Sequence, residues 1–170
     1  MPLVVGVTLV VAIFVGGAVL WTWANRAPIC DDATVTSERF GYCITAPDGW
    51  QVAEIGDELP ADQLFRPDGA TTLMIQAVDT RRDLRAFADD VRRLQTDSGL
   101  DVEGIRRLTV AGVDALRWDA TLGASGDITA RTVVFAQDGI AWRLQFADAT
   151  DAFEQSVGDL DRMLGTWQFR

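Results

Sequence analysis

From Leu3 to Leu20 the chain reads LVVGVTLVVAIFVGGAVL without a charge, and Trp21 and Trp23 follow directly. About 21 helical residues at 1.5 Å each span roughly 31 Å, the thickness of a bilayer's hydrocarbon core, and the two tryptophans stand where an interfacial aromatic belt belongs. The expectation is a single-pass membrane helix, residues 1–25, with Trp21 and Trp23 at the membrane interface. Ala12 and Gly16 form a small-xxx-small pair of the kind that lets two helices pack closely, a spacing that ordinary membrane-helix composition also produces.

A cleaved signal peptide needs a basic n-region, a shorter apolar run and a small-residue cleavage site, and the stretch WANRAPIC offers none of these cleanly. Lipid attachment at Cys30 is disfavoured because Pro28 and Ile29, not small residues, precede it. Orientation has one vote each way. Arg26, the nearest positive charge, lies on the domain side and favours a cytoplasmic domain. The only two cysteines, Cys30 and Cys43, sit where a disulfide would tie the first strand to the stem, which requires an oxidising compartment. The extracytoplasmic placement is the expected one.

The remaining residues are enough for one domain with one real core. Residues 26–39 read as a polar stem and 40–170 as the domain. The net charge of −10 is uneven: 31–68 holds nine acids against Arg39 and Arg66, whereas 79–107 balances seven acids with seven arginines. No basic face runs through the chain, so nucleic acid is not expected as a partner. Every basic side chain is arginine, as in many proteins from GC-rich genomes, and histidine is absent. The lack of histidine removes the usual general base and the commonest metal ligand at neutral pH.

Phe40 to Ala46 alternates as a strand, Pro47-Asp48-Gly49 marks a turn, and Gln51 to Ile55 reads as a short second strand. Asp57 to Gly69 reads as an acidic loop and Thr71 to Val78 as a buried strand. Thr80 with Asp83 has the look of a capping box, and Leu84, Phe87, Val91 and Leu94 follow at helical spacing, predicting a helix over Arg81 to Asp97. Four alternating runs come next, Ile105 to Val110, Val113 to Leu122, Ile128 to Ala136 and Ile140 to Ala147. The turns between them predict antiparallel hairpins. A second amphipathic helix starts at Thr150, a fair N-cap, with Phe153, Val157, Leu160 and Leu164 on one face. The fold class is α+β, an antiparallel sheet with one face solvated and the other buried under the two helices, in two or three layers. Trp50, Trp118, Trp142 and Trp167 then read as core or edge-packing residues.

The order of elements and four stretches resemble the PsbP-like superfamily, which includes lumenal photosystem accessory proteins and LpqN-type lipoproteins. The stretches are Tyr42 to Trp50, Val110 to Ala115, Gly139 to Phe146 and Met163 to Phe169. The resemblance covers nearly all of 40–170, through turn and core signatures. It implies an exported accessory or binding module beside a larger membrane complex. The chain departs from the lipoproteins in its helical anchor, and from the photosystem proteins in lacking histidine.

Without histidine or lysine, the chain cannot assemble a Ser-His-Asp, Cys-His or Ser-Lys unit. Gly123 to Gly126 is a hairpin turn, not a nucleophile elbow, and Cys30 and Cys43 lack C-x-x-C redox spacing. Glu54, Asp57, Glu58 and Asp62 form one acidic cluster and Asp97, Asp101 and Glu103 another; neither matches an EF-hand, and both read as solvated loops. Arg81, Arg82 and Arg85 are candidate contacts for anionic headgroups or an acidic partner, although Arg85 with Asp89 is also an ordinary (i, i+4) pair.

The expected function is a non-catalytic, membrane-anchored accessory module, with the bilayer and a membrane or envelope complex as partners and no cofactor. One alternative is a carrier or sensor of a small apolar ligand, with a closed cavity lined by Phe87, Val91 and Trp118. Another is a carboxylate-dependent hydrolase, which needs two acids converging in one cleft.

Overall fold

The computed structural model describes residues 30–53, 61–67, 71–122 and 126–170. The apolar segment 3–23, with Trp21 and Trp23, lies outside the described residues. Among the described residues no helix is long and apolar enough to cross a membrane. Contacts divide the chain into two units, 1–31 and 32–170, and the second carries the fold.

In chain order the described elements are β1 (Val35–Ser37), β2 (Tyr42–Ile44), β3 (Gln51–Val52), β4 (Asp62–Phe65), β5 (Thr72–Asp79), α1 (Leu84–Asp97), β6 (Leu100–Val102), β7 (Arg106–Val110), β8 (Val113–Leu122), β9 (Ile128–Gln137), β10 (Ile140–Ala149), α2 (Thr150–Gly165) and β11 (Gln168–Phe169). An eight-stranded sheet runs β3-β4-β5-β10-β9-β8-β6, with β7 also on β8, and a three-stranded sheet runs β1-β2-β11. Every pairing is antiparallel. The hairpins expected from turn spacing are present. Val110 pairs Val113 and Gln137 pairs Ile140, leaving two-residue turns at Ala111-Gly112 and Asp138-Gly139. All four turn residues have positive φ (48°, 83°, 54° and 82°), the conformation that matches the twist of a tight hairpin.

The two described helices lie on opposite faces of the large sheet, so the 32–170 unit has three layers rather than one solvated face. On one face Phe153, Val157, Leu160, Met163 and Leu164 of α2 pack with Leu73, Ile75, Val133, Phe135, Leu144 and Phe146. Tyr42, Ile44 and Trp167 bring the small sheet into the same core. Tyr42 and Trp167 stack with ring centroids 4.6 Å apart. On the other face Ala88 and Val91 of α1 pack on Leu116, Trp118 and Val134. Burying each large apolar side chain contributes about 1.5–3 kcal/mol, so α2, which buries five, is the principal lid of the core.

Several local expectations are corrected. The helix begins at Leu84, not Arg81, because Asp83 is its N-cap: its carboxylate accepts from Ala86 N at 2.8 Å. Thr80 instead accepts from Arg82 N, one turn too early to start the helix. Thr150 is the first residue of α2 rather than its cap, and its hydroxyl donates to the Gly126 carbonyl, binding the helix start to the β8–β9 turn. The segment read as a stem contributes β1, and the segment read as an acidic loop contributes β4.

Candidate binding surface

Directly opposed residues of antiparallel strands share a face, so the register places every side chain of the sheet. Trp142 opposes Phe135 and Ala77, and Leu144 opposes Val133 and Ile75; this is the α2 face. Arg143 lies between them on the other face, opposed by Gln76 on β5 and Val134 on β9. Val134 is buried under α1. That helix packs on β6, β8 and β9. Beyond β9 the same face continues across β10, β5 and β4, and neither described helix packs on it there.

On this half-face lie Gln63 and Phe65 from β4, Thr72, Met74, Gln76 and Val78 from β5, and Arg143, Gln145 and Ala147 from β10, with Ala141 of the same parity fully buried. Met74 and Val78 are 38% and 48% exposed, among the largest apolar exposures of the described residues. The acids of these strands, Asp62, Asp79 and Asp148, have the opposite parity. Arg143 is thus the one charged side chain on the β4, β5 and β10 part of this face, in a chain of net charge −10.

Two arginines of adjacent strands show how differently the sheet treats a half-buried guanidinium. Arg131 on β9 donates to both oxygens of Asp119, Nε and Nη2 each at 2.7 Å, and its guanidinium lies 5.5 Å from the centroid of the Phe153 ring. The hydrogen bonds to Asp119 raise its pKa against the opposing effect of burial. Arg143 makes no side-chain hydrogen bond, ion pair or ring contact among the described residues, and burial alone lowers its pKa. The side chain is half-buried, and its guanidinium nitrogens still reach water.

Three clefts open among the described residues, one of them bordered by Val78. The largest, about 740 Å³, is lined by Thr45, Pro47, Asp48, Arg66, Asp159, Arg162, Gly165 and Thr166. There the arginines converge on Asp159, which also accepts from Trp50 Nε1 at 2.7 Å. A cleft of about 440 Å³ opens between Glu38–Gly41, Ala77–Asp79 and Ile140. The third, about 370 Å³ and half open, lies beside the start of α1 over Leu84, Ile105, Leu108 and Leu116, with Arg85, Arg107, Asp83 and Asp114 around it. Phe87, Val91 and Trp118, expected to line a ligand cavity, pack into the cluster under α1 instead. Trp118 is 1% exposed and its Nε1–H donates to Gln95 Oε1 at 2.7 Å.

The structure separates the other sequence-derived candidates. Arg82 pairs with Asp90 and Arg85 with Asp89 along α1, while Arg81 is exposed ahead of the helix. Cys30 and Cys43, the chain's only cysteines, are disulfide-bonded. Asp62 accepts a hydrogen bond from Tyr42, and Glu54, Asp57 and Glu58 lie outside the described residues. Among the described residues no group of three or more His, Cys, Asp or Glu side chains is gathered as a metal site.

Arg143 was not among the sequence candidates. Its signal was a charge standing out of phase in the strand Ile140–Ala149, whose other parity reads Trp142, Leu144, Phe146.

Compared as a structure, the domain superposes on cyanobacterial PsbP (CyanoP) from Synechocystis with a TM-score of 0.64 at 14% identity, over 80% of this chain and 91% of that one. The fold is PsbP-like. Two further solved structures extend the comparison. LpqN of Mycobacterium tuberculosis, involved in cell envelope biogenesis, matches with a TM-score of 0.53 at 13% identity, over 75% of this chain and 82% of that one. The yeast Ran-binding protein Mog1p matches with 0.55 at 9% identity, over 79% and 93%. By sequence, the chain matches no protein-family model and no curated protein.

Proposed function

We propose that this PsbP-like chain is a non-catalytic binding module, held at a membrane by its apolar segment 3–23 with the 32–170 unit on the extracytoplasmic side. Through the uncovered half of its sheet it engages a larger membrane or cell-envelope protein assembly. The observation that carries this reading is that half-face: apolar Met74 and Val78 stand exposed on it, and no acid interrupts it, although acids outnumber arginines 25 to 15 in the chain. A solvated antiparallel face is ordinarily lined with mixed charges, and exposed apolar groups gathered on one surface mark an interaction site. The disulfide suits an oxidising compartment. The names of LpqN and Mog1p speak of a process and a partner rather than a reaction.

The test is photo-crosslinking in intact cells from the full chain, with the reactive residue at Met74 or, as a control, at Thr96 on the exposed side of α1. The expected result is a chain that stays with the membrane fraction through alkaline carbonate and gives a discrete protein adduct from Met74 but not from Thr96. Recovery of the chain in the soluble fraction, or the same adducts from both positions, overturns the proposal.

A further inference from the structure

The unpaired guanidinium in the middle of the open half-face has a definite chemical requirement. An arginine offers five N–H donors in a planar fork, and Arg143 holds this fork beside neutral neighbours only: Gln76 across the strand pair, Gln145 and Ala141 along its own strand. Partial burial weakens its hydration, and among the described residues no acceptor bonds to it, so its N–H groups are left to water. Compare Arg131, one strand away, where the sheet supplies a carboxylate that matches the fork with two parallel hydrogen bonds. Arg143 has the donors of such a site, stands half-buried on the sheet, and lacks the acid among the described residues.

We infer that Arg143 is the receptor for a single carboxylate, an Asp, Glu or C-terminal group, presented by the protein partner that covers the β4–β5–β10 half-face. This deepens, and rests on, the reading of that face as a protein interface. Charge complementarity selects the ligand. One guanidinium balances one negative charge, and a phosphate dianion, a polyanion or an anionic bilayer would meet the field of a domain that is acidic overall. Shape selects the source. Arg143 lines none of the three clefts described, and its surroundings form a sheet surface with Met74 and Val78 exposed, suited to a flat protein contact rather than to a free small acid. Once covered, the pair would be out of water, where a fork-to-carboxylate bond is strongest and most selective.

The test uses the full chain throughout. In detergent, the Nε–Hε resonance of Arg143, assigned by its loss in Arg143→Gln, is followed during titration with sodium acetate, sodium phosphate or sodium chloride at matched ionic strength. The expected result is a saturable shift with acetate, smaller with phosphate and absent with chloride. No acetate shift beyond that of chloride, or a larger one with phosphate, overturns the carboxylate assignment. In cells, Arg143→Gln and Arg143→Lys are combined with a photo-reactive residue at Val78. Arg143→Gln is expected to lower the adduct yield at least tenfold, Arg143→Lys to retain part of it, and the cross-linked segment to carry an acid or a C-terminus. An adduct whose yield ignores Arg143→Gln, or whose segment has no carboxylate, leaves the interface standing and removes the role of Arg143. Because the Arg143 side chain makes no hydrogen bond among the described residues, the melting temperature of Arg143→Gln is expected to equal or exceed that of the parent chain. A substantial fall would identify a structural role instead and overturn the inference.

Discussion

The hydroxyl of Tyr42, a fully buried residue on β2, donates to Asp62 Oδ2 on β4 at 2.8 Å and so ties the small sheet to the large one. Burial first, and Asp62 second, push the Tyr42 hydroxyl far above its ordinary range, so it keeps its proton and donates to Asp62. Tyr42→Phe keeps the stack on Trp167 and leaves a partly buried carboxylate without its donor. We expect a loss of about 1.5–3 kcal/mol in urea denaturation, the range for a bond to a charged group. Tyr42→Phe combined with Asp62→Asn should cost less than the sum of the two single changes.

Asp159 gives the acid limb of stability a defined origin. Burial pushes its carboxyl up, but hydrogen bonds from Trp50 Nε1 and Arg162, with the charges of Arg162 and Arg66, more than reverse this and hold it below the ordinary carboxylate range. A carboxyl whose pKa is lower folded than unfolded adds stability that is complete above the unfolded value of about 3.9 and is lost as pH falls through the folded one. Asp159→Asn should therefore lower the urea midpoint at pH 7, and the gap to the parent chain should close as pH falls from about 4 towards 2. A gap that stays constant over that range would place the effect in packing rather than in charge.

What the sequence disclosed follows from how much periodicity each element carries. Strands β8, β9 and β10 are ten residues each, and their alternation was legible from end to end. β1, β4, β6 and β11 have between two and four residues, too few for any period, and were missed. Thr80 and Asp83 are both good N-caps, and only the bond from Ala86 N to Asp83 decides between them. Each helix announced one apolar face, but an amphipathic pattern does not say against which side of the sheet it is laid. That choice leaves one face of β4, β5 and β10 without a described helix, and the Arg143 side chain without a partner among the described residues. The candidate surface was thus half visible: the charge in the strand could be read, its isolation could not.

Ala111 occupies a place where its side chain is a liability. Its φ of 48° lies in the left-handed region, which costs an ordinary residue about 1 kcal/mol and asparagine less. The equivalent turn between β9 and β10 uses Asp138 before Gly139. Ala111→Asn should raise stability by up to about 1 kcal/mol, read as a rise of a few degrees in melting temperature. Gly112→Ala, at a φ of 83°, should lower it.

Beneath α1, Gln95 joins two buried groups: it accepts from Trp118 Nε1 at 2.7 Å and donates to Thr132 Oγ1 at 2.9 Å. All three residues are under 10% exposed, so water is a poor substitute for any of them. Gln95→Ala removes the acceptor of the indole and opens a void, and should cost about 2–3 kcal/mol. Tryptophan emission should change with it, because the polar neighbour of Trp118 is lost. If unsatisfied polarity rather than volume dominates, Gln95→Leu should remain destabilising in the parent chain. Adding Trp118→Phe and Thr132→Val, which remove both orphaned groups, should then recover part of that loss. A triple variant whose loss equals the sum of its single changes would show that the three side chains act through packing alone.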